Sequence, residues 1–148
     1  MRPLIYALRF SGRAEPDGSS GSILSAVSTA SSARIVSSAG PSGLDGRIEA
    51  IAGGDAMFQS EVILTGETSF QESGSILFGE GHRLTFATIG SGFLGPGHDP
   101  SRQHGAVIWR VTGGEGQFAG LSGLITSNFT VGPDLVITDH QFGVLWLP

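Results

Sequence analysis

Hydrophobic and polar positions alternate along most of this chain, and the alternation predicts strands rather than helices. Leu4, Tyr6, Leu8 and Phe10 interleave with Ile5, Ala7 and Arg9, giving a half-buried first strand over Leu4 to Phe10, followed by a polar loop over Gly12 to Gly21. Ile23, Val27, Ile35 and Val36 mark two modest strands in the serine-rich run Ser22 to Ala39, and Arg47 to Ala52 and Ala56 to Thr65 read as two more. No ten-residue stretch carries the 3.6 period of an amphipathic helix, and the apolar runs number about eight to ten.

Between Glu67 and Ile89 the register itself can be argued. Thr68, Phe70, Glu72, Gly74, Ile76 and Phe78 share one face, and His82, Leu84, Phe86 and Thr88 make a matching set beyond Gly79-Glu80-Gly81. Matching the faces pairs Phe78 with His82, Ile76 with Leu84, Gly74 with Phe86 and Glu72 with Thr88, with Gly81 free for the left-handed position of a three-residue loop. Glu72 and His82 then share the inner face but stand roughly 20 Å apart at strand rise, too far for one acid/base dyad.

Gly90 to Gln103 is a long glycine-rich loop, the best candidate for a lid. His104 to Val111 and Leu121 to Val131 are strands, and Gly113 to Gly123 between them is a glycine-kinked corner in which Phe118 can act as a plug. Gly114-x-Gly116-x-x-Ala119 formally fits a dinucleotide fingerprint, but no helical period follows it to present an N-terminus to a pyrophosphate. The last strand, Asp134 to Leu147, places Val136, Thr138, His140, Phe142, Val144 and Trp146 on one face and Leu135, Ile137, Asp139, Gln141, Leu145 and Leu147 on the other. Both faces are apolar near its end, which predicts cover on two sides, by the core and by another segment or subunit.

So many uncharged short strands are accommodated most economically in an all-β fold, a single closed antiparallel β-barrel of about eight strands spanning 1–148, with a sandwich as the second solution. Composition agrees: 24 Gly and nine Phe, with only 14% charged residues and no cysteine, which excludes thiol catalysis and a disulfide framework. A net charge of −5 without a basic cluster excludes a phosphate-neutralising surface, so neither nucleic acid nor membrane is an expected partner. The N-terminal apolar run is interrupted by Arg9 and too short for a signal segment, and the expected location is the cytoplasm.

The run Gly113-Gly114-x-Gly116-x-Phe118-x-Gly120-x-x-Gly123, after a strand containing Trp109 and before strands ending in Gly143-Val144-Leu145-Trp146-Leu147-Pro148, resembles the allene oxide cyclase and dirigent protein barrels and their bacterial relatives. The resemblance covers the chain from about Phe70 onward. It implies an eight-stranded antiparallel barrel, often oligomeric, here a dimer or trimer, whose lumen encloses an apolar small molecule and steers its cyclisation or coupling with few catalytic groups. The first half departs from the plant enzymes, and no catalytic residue is carried over.

The residues themselves offer candidates. Glu72 falls on a face otherwise made of Phe70, Ile76 and Phe78; buried there it suits proton transfer, whereas near a barrel end it is solvated or bonded to Thr88 or an arginine. His82 and His140 are the other acid/base candidates, each with the blander alternative of a rim or backbone-bonded histidine. Phe70, Phe86, Trp109, Asn128 and Phe142 are candidate ligand contacts from the strands, and His98 and Arg102 from the loop. The histidine spacing reads as no metal site, and no cofactor is implied. The expected activity is that of a cyclase or isomerase holding an apolar, polyketide-like or fatty-acid-derived substrate. The alternatives are a non-catalytic carrier of a lipophilic molecule and an oligomer-forming module with a filled lumen.

Overall fold

A computed structural model describes all 148 residues. Nine strands run in chain order: β1 (Arg2–Pro16), β2 (Ile23–Gly40), β3 (Gly43–Leu64), β4 (Ser69–Phe78), β5 (Arg83–Thr88), β6 (Gly92–Pro96), β7 (Gln103–Gly114), β8 (Ser122–Val131) and β9 (Val136–Leu147). The only helical pieces are single 3-10 turns at Gly116–Phe118 and Pro133–Leu135, and no helix is long and apolar enough to cross a membrane. All pairings are antiparallel and form one sheet in the order β3-β2-β1-β9-β8-β7-β5-β4-β6, closed into a ring by β3–β4.

The β4–β5 hairpin has the register expected from its faces. Ile76 opposes Leu84 and Gly74 opposes Phe86, the Phe78 N–H donates to the His82 carbonyl at 2.8 Å, and Gly79 and Gly81 of the loop both have φ of +77°. Thr88 meets Glu72 through its hydroxyl, which accepts from the Glu72 N–H and donates to the Glu72 carbonyl.

The stretch read as a lid is not one loop: its middle, Gly92–Pro96, is a strand. β5 is only six residues long, and β6 takes up the vacant ladder positions beside it, pairing Ser69↔Phe93 with β4 and Phe93↔Ala106 with β7. β5 and β6 thus share one stave of the ring, and residues 90–91 and 97–102 remain as short loops. The corner after β7 is a kink, with Gly116 and Gly120 at positive φ and Phe118 buried. Phe118 meets Phe78 edge-on at 5.5 Å, and Phe78 meets Tyr6 at 5.3 Å, so three rings close one end of the interior.

The first half departs furthest from expectation. The two modest strands of the serine-rich run are one strand, as are Arg47–Ala52 and Ala56–Thr65, and β2 and β3 continue past the ring as a two-stranded ribbon. From Ala33↔Ala50 to Gly40↔Gly43 this ribbon pairs only with itself over roughly 25 Å. It is separated from the ring by an irregularity in which Ile51–Gly54 face the single residue Ser32. One ribbon face carries Arg34, Arg47, Asp45 and Glu49, joined by ion pairs such as Arg34–Glu49 at 2.5 Å; the other carries Ala33, Ile35, Ile48, Ala50 and Leu44.

Ring curvature brings some backbones too close for any side chain. A Cβ on Gly74 would lie 2.1 Å from the Gln59 carbonyl oxygen and 2.8 Å from the Ser60 Cα, and one on Gly12 would lie 2.0 Å from the Val27 oxygen. Gly74→Ala is expected to lower unfolding stability by about 1–3 kcal/mol in denaturant titration, as overpacking does. Gly46→Ala, in the ribbon where the nearest atom is 3.9 Å away, should change it by less than about 0.5 kcal/mol.

Candidate functional site

The interior is layered. Next to the Tyr6–Phe78–Phe118 closure lies an aromatic cluster in which Phe58 stacks on Phe86 at 5.4 Å, Trp109 sits 4.3 Å from Phe86, and Phe10 joins at 6.0 Å. Beyond it is a cavity of about 80 Å³ whose deep wall includes Phe58, Trp109, Glu72, Asp139, Ser28 and Ser127. Its shallower wall is formed by half-buried Leu24, Leu94, Phe129, Val131, Leu135 and Ile137, and Gln103 is the one exposed residue lining it. The cavity therefore faces solvent at the end opposite the aromatic closure. Two successive residues at that mouth, Asp134 and Leu135, have φ of 59° and 57°, a conformation that carries strain for side chains other than glycine.

Two carboxyls meet the cavity. Glu72 is buried and its Oε2 accepts from the Ser60 hydroxyl at 2.6 Å. Burial raises its pKa from 4.5 to about 8; the Ser60 hydrogen bond opposes the rise, the charge of Asp139 adds to it, and the Trp109 indole N–H tempers it slightly. Asp139 is also buried, with its two oxygens accepting from the Ser127 hydroxyl at 2.5 Å and the Gln141 amide at 2.8 Å. Burial raises its pKa to about 6 against those two donors. The Tyr6 hydroxyl donates to Gln141 Oε1 at 3.1 Å, extending the chain of polar groups toward the closed end, and burial followed by the Asp139 charge raises its pKa.

The indole nitrogen of Trp109 is the one fully buried side-chain nitrogen or oxygen without a hydrogen-bond partner. It lies near enough to Glu72 to favour the ionised carboxylate a little, yet makes no hydrogen bond with it. A buried unsatisfied donor costs about 1–3 kcal/mol.

Of the residues singled out from sequence, Glu72, Phe70, Phe86 and Trp109 all point inward and are buried, and all but Phe86 line the cavity. The others lie elsewhere. His140, Asn128 and Phe142 are exposed on the outer face, where His140 and Asn128 oppose each other across β8 and β9. The inner positions of β9 belong to Asp139 and Gln141, and a period of two puts every alternate neighbour outside. His82 is exposed at the β4–β5 turn, where its Nδ1 accepts from the Gln117 N–H at 3.0 Å and ties the hairpin to the glycine corner. His98 and Arg102 are exposed on the short loop, and Arg102 pairs with Asp99 at 3.7 Å. No three His, Asp or Glu side chains come together as a metal would require.

Sequence reasoning passed over Asp139, Ser127 and Tyr6. Asp139 carried the same signal as Glu72, an acid within the apolar set Leu135, Ile137, Leu145 and Leu147. No protein-family model, curated protein or solved structure matches this chain.

The site makes stability fall as pH rises. Native Glu72 holds its proton up to about pH 8 while the unfolded chain releases it near 4.5, so the native state binds more protons between those values. Its contribution is fully present below pH 4.5 and is lost as pH rises through 8; Asp139 behaves likewise between 3.8 and about 6. Thermal denaturation should give a melting temperature higher at pH 5 than at pH 8.5 by about 5 °C or more. In Glu72→Gln the part of that slope above pH 6.5 should vanish.

Proposed function

We propose that this chain is a small-molecule cyclase or isomerase. Its ring acts as an eight-stave β-barrel, with β5 and β6 sharing one stave, and an interior carboxyl moves a proton on an apolar substrate. The observation that carries this reading is Glu72, a carboxyl with a pKa of about 8 on the wall of an apolar cavity and within electrostatic reach of a second acid, Asp139. Two acids whose environments separate their pKa values, about 8 and about 6, can divide the roles of proton donor and proton acceptor near neutrality. The glycine corner with its buried Phe118 and the ring topology support distant membership of the allene oxide cyclase and dirigent barrels. The cavity sets a size limit: about 80 Å³ holds a compact head group, and a longer substrate must leave its tail in the mouth beside Gln103 and Leu135.

The proton-transfer step is testable without a known substrate. A panel of small apolar compounds incubated in heavy water should take up deuterium at carbon in the presence of the protein, read by mass spectrometry. Glu72→Gln or Asp139→Asn should slow the uptake by about a hundredfold or more, the usual range for a general acid or base, while the outward His140→Ala should leave it unchanged. Full uptake by both carboxyl variants would remove the catalytic reading, and recovery of tightly bound but unaltered compound would favour the carrier instead.

Self-association is a second reading, favoured by apolar surface that the chain itself leaves uncovered. The ribbon exposes Ile35 and Leu44, the outer face of β9 exposes Phe142 and Trp146, and Arg2 to Phe10 of β1 have no strand partner on the edge facing the ribbon. Along that edge lies an apolar cleft of about 570 Å³ bordered by Leu4, Tyr6, Ile35 and Phe118. A homodimer or homotrimer formed through the ribbon should be visible by sedimentation at micromolar concentration. Ile35→Asp with Leu44→Asp should then reduce it to monomer; a monomeric wild type would end this reading.

A further inference from the structure

Two groups on the deep wall of the cavity, the Trp109 indole and the Glu72 carboxyl, can donate a hydrogen that no protein group receives. Trp109 Nε1 is buried with nothing to receive its hydrogen, and Ser60 already occupies Glu72 Oε2, which leaves Oε1 to carry a proton and donate it. At neutral pH that proton is present, because burial holds the Glu72 pKa near 8. Each oxygen of Asp139 accepts one hydrogen bond, from Ser127 and from Gln141, so the carboxylate keeps its charge and a further lone pair on each oxygen. A cation entering here would lose its hydration among apolar side chains and meet two N–H or O–H donors, with only the Asp139 carboxylate to offset them. An anion would meet the charge of Asp139. A neutral oxygen acceptor on an apolar body satisfies both donors and adds no charge.

We propose that Trp109 Nε1–H and the Glu72 carboxyl together cradle the oxygen of a neutral carbonyl compound, whose apolar body points toward the mouth between Leu94 and Leu135. The inference rests on the proposed interior binding site and adds the chemical class of its ligand. It assigns Trp109 a part beyond packing: its N–H, costly to leave unpaired, is paired when the carbonyl arrives.

Cyclopentanone, cyclopentane and cyclopentanecarboxylate test the assignment. In a Trp146→Phe protein, Trp109 supplies the only indole signal in a nitrogen–proton correlation spectrum. Titration with cyclopentanone at pH 7 should move that signal downfield and saturate. Cyclopentane should bind about tenfold more weakly, the worth of roughly one hydrogen bond, and leave the indole proton unmoved. Cyclopentanecarboxylate should not bind. Trp109→Phe should weaken the preference for ketone over hydrocarbon, and Trp109→Phe with Glu72→Leu should erase it, while both probes still bind. Equal binding of ketone and hydrocarbon with a static indole signal would overturn the carbonyl cradle and leave interior binding intact. Binding of the carboxylate as tightly as the ketone would overturn the neutral class. Failure of both uncharged probes to bind would overturn the interior binding site itself.

Discussion

β1 and β9 join the two ends of the chain through an unbroken ladder from Arg2↔Leu147 to Arg13↔Val136, and on that closure the interior depends. Open the ladder and the sheet has two free edges, with Glu72, Asp139 and Gln141 returned to water. Closed, it takes two carboxyls into a space where charge is costly, so their protons are held at pH values where free carboxylates carry none. The shifts of Glu72 and Asp139 are therefore properties of the ring more than of either residue. The same curvature explains Gly12 and Gly74, whose backbones approach the neighbouring strand inside the distance a side chain would need.

Legibility from sequence followed how many independent constraints acted on a segment. The β4–β5 hairpin was readable to the residue, because two apolar faces had to coincide and only a three-residue loop let them. The glycine corner was readable as a kink for the same reason: glycine spacing, flanking strands and a lone aromatic agreed. On β9 both faces carry large apolar side chains, so alternation could separate His140 and Phe142 from Asp139 and Gln141 but could not say which set turned inward. Choosing the wrong set moves every candidate to the opposite side of the sheet, and that is why two inner polar residues went unnoticed.

The ribbon and β6 were hidden for a different reason. Strand propensity in Ser31 to Ala39 is weak, and nothing local reports that β2 and β3 will continue to pair after leaving the ring. Their pairing is stabilised by cross-strand partners, Arg34 with Glu49 and Ile35 with Ile48, which become neighbours only once the hairpin at Pro41 and Ser42 has formed. β6 looked like a lid because it is glycine-rich, and the constraint that makes it a strand lies outside it. Six-residue β5 covers only part of the length of β4 and β7, and the unpaired backbone that remains is satisfied by the next segment of suitable length.

Placing the two acids on the lining of one cavity makes their protonation interdependent. Ionising Asp139 raises the pKa of Glu72, so near neutrality the favoured state has one charge and one proton between them. The hydrogen bonds decide which acid takes which part. Asp139 is held by two donors and Glu72 by one strong donor, so the charge settles on Asp139 and the proton on Glu72. That asymmetry puts a protonated carboxyl and a charged carboxylate on the lining of one cavity. A molecule bound there as proposed would meet hydrogen-bond donation at Trp109 and Glu72 and negative potential at Asp139. On the proposed reading, such a pairing would polarise a carbonyl and favour loss of a proton from the carbon beside it.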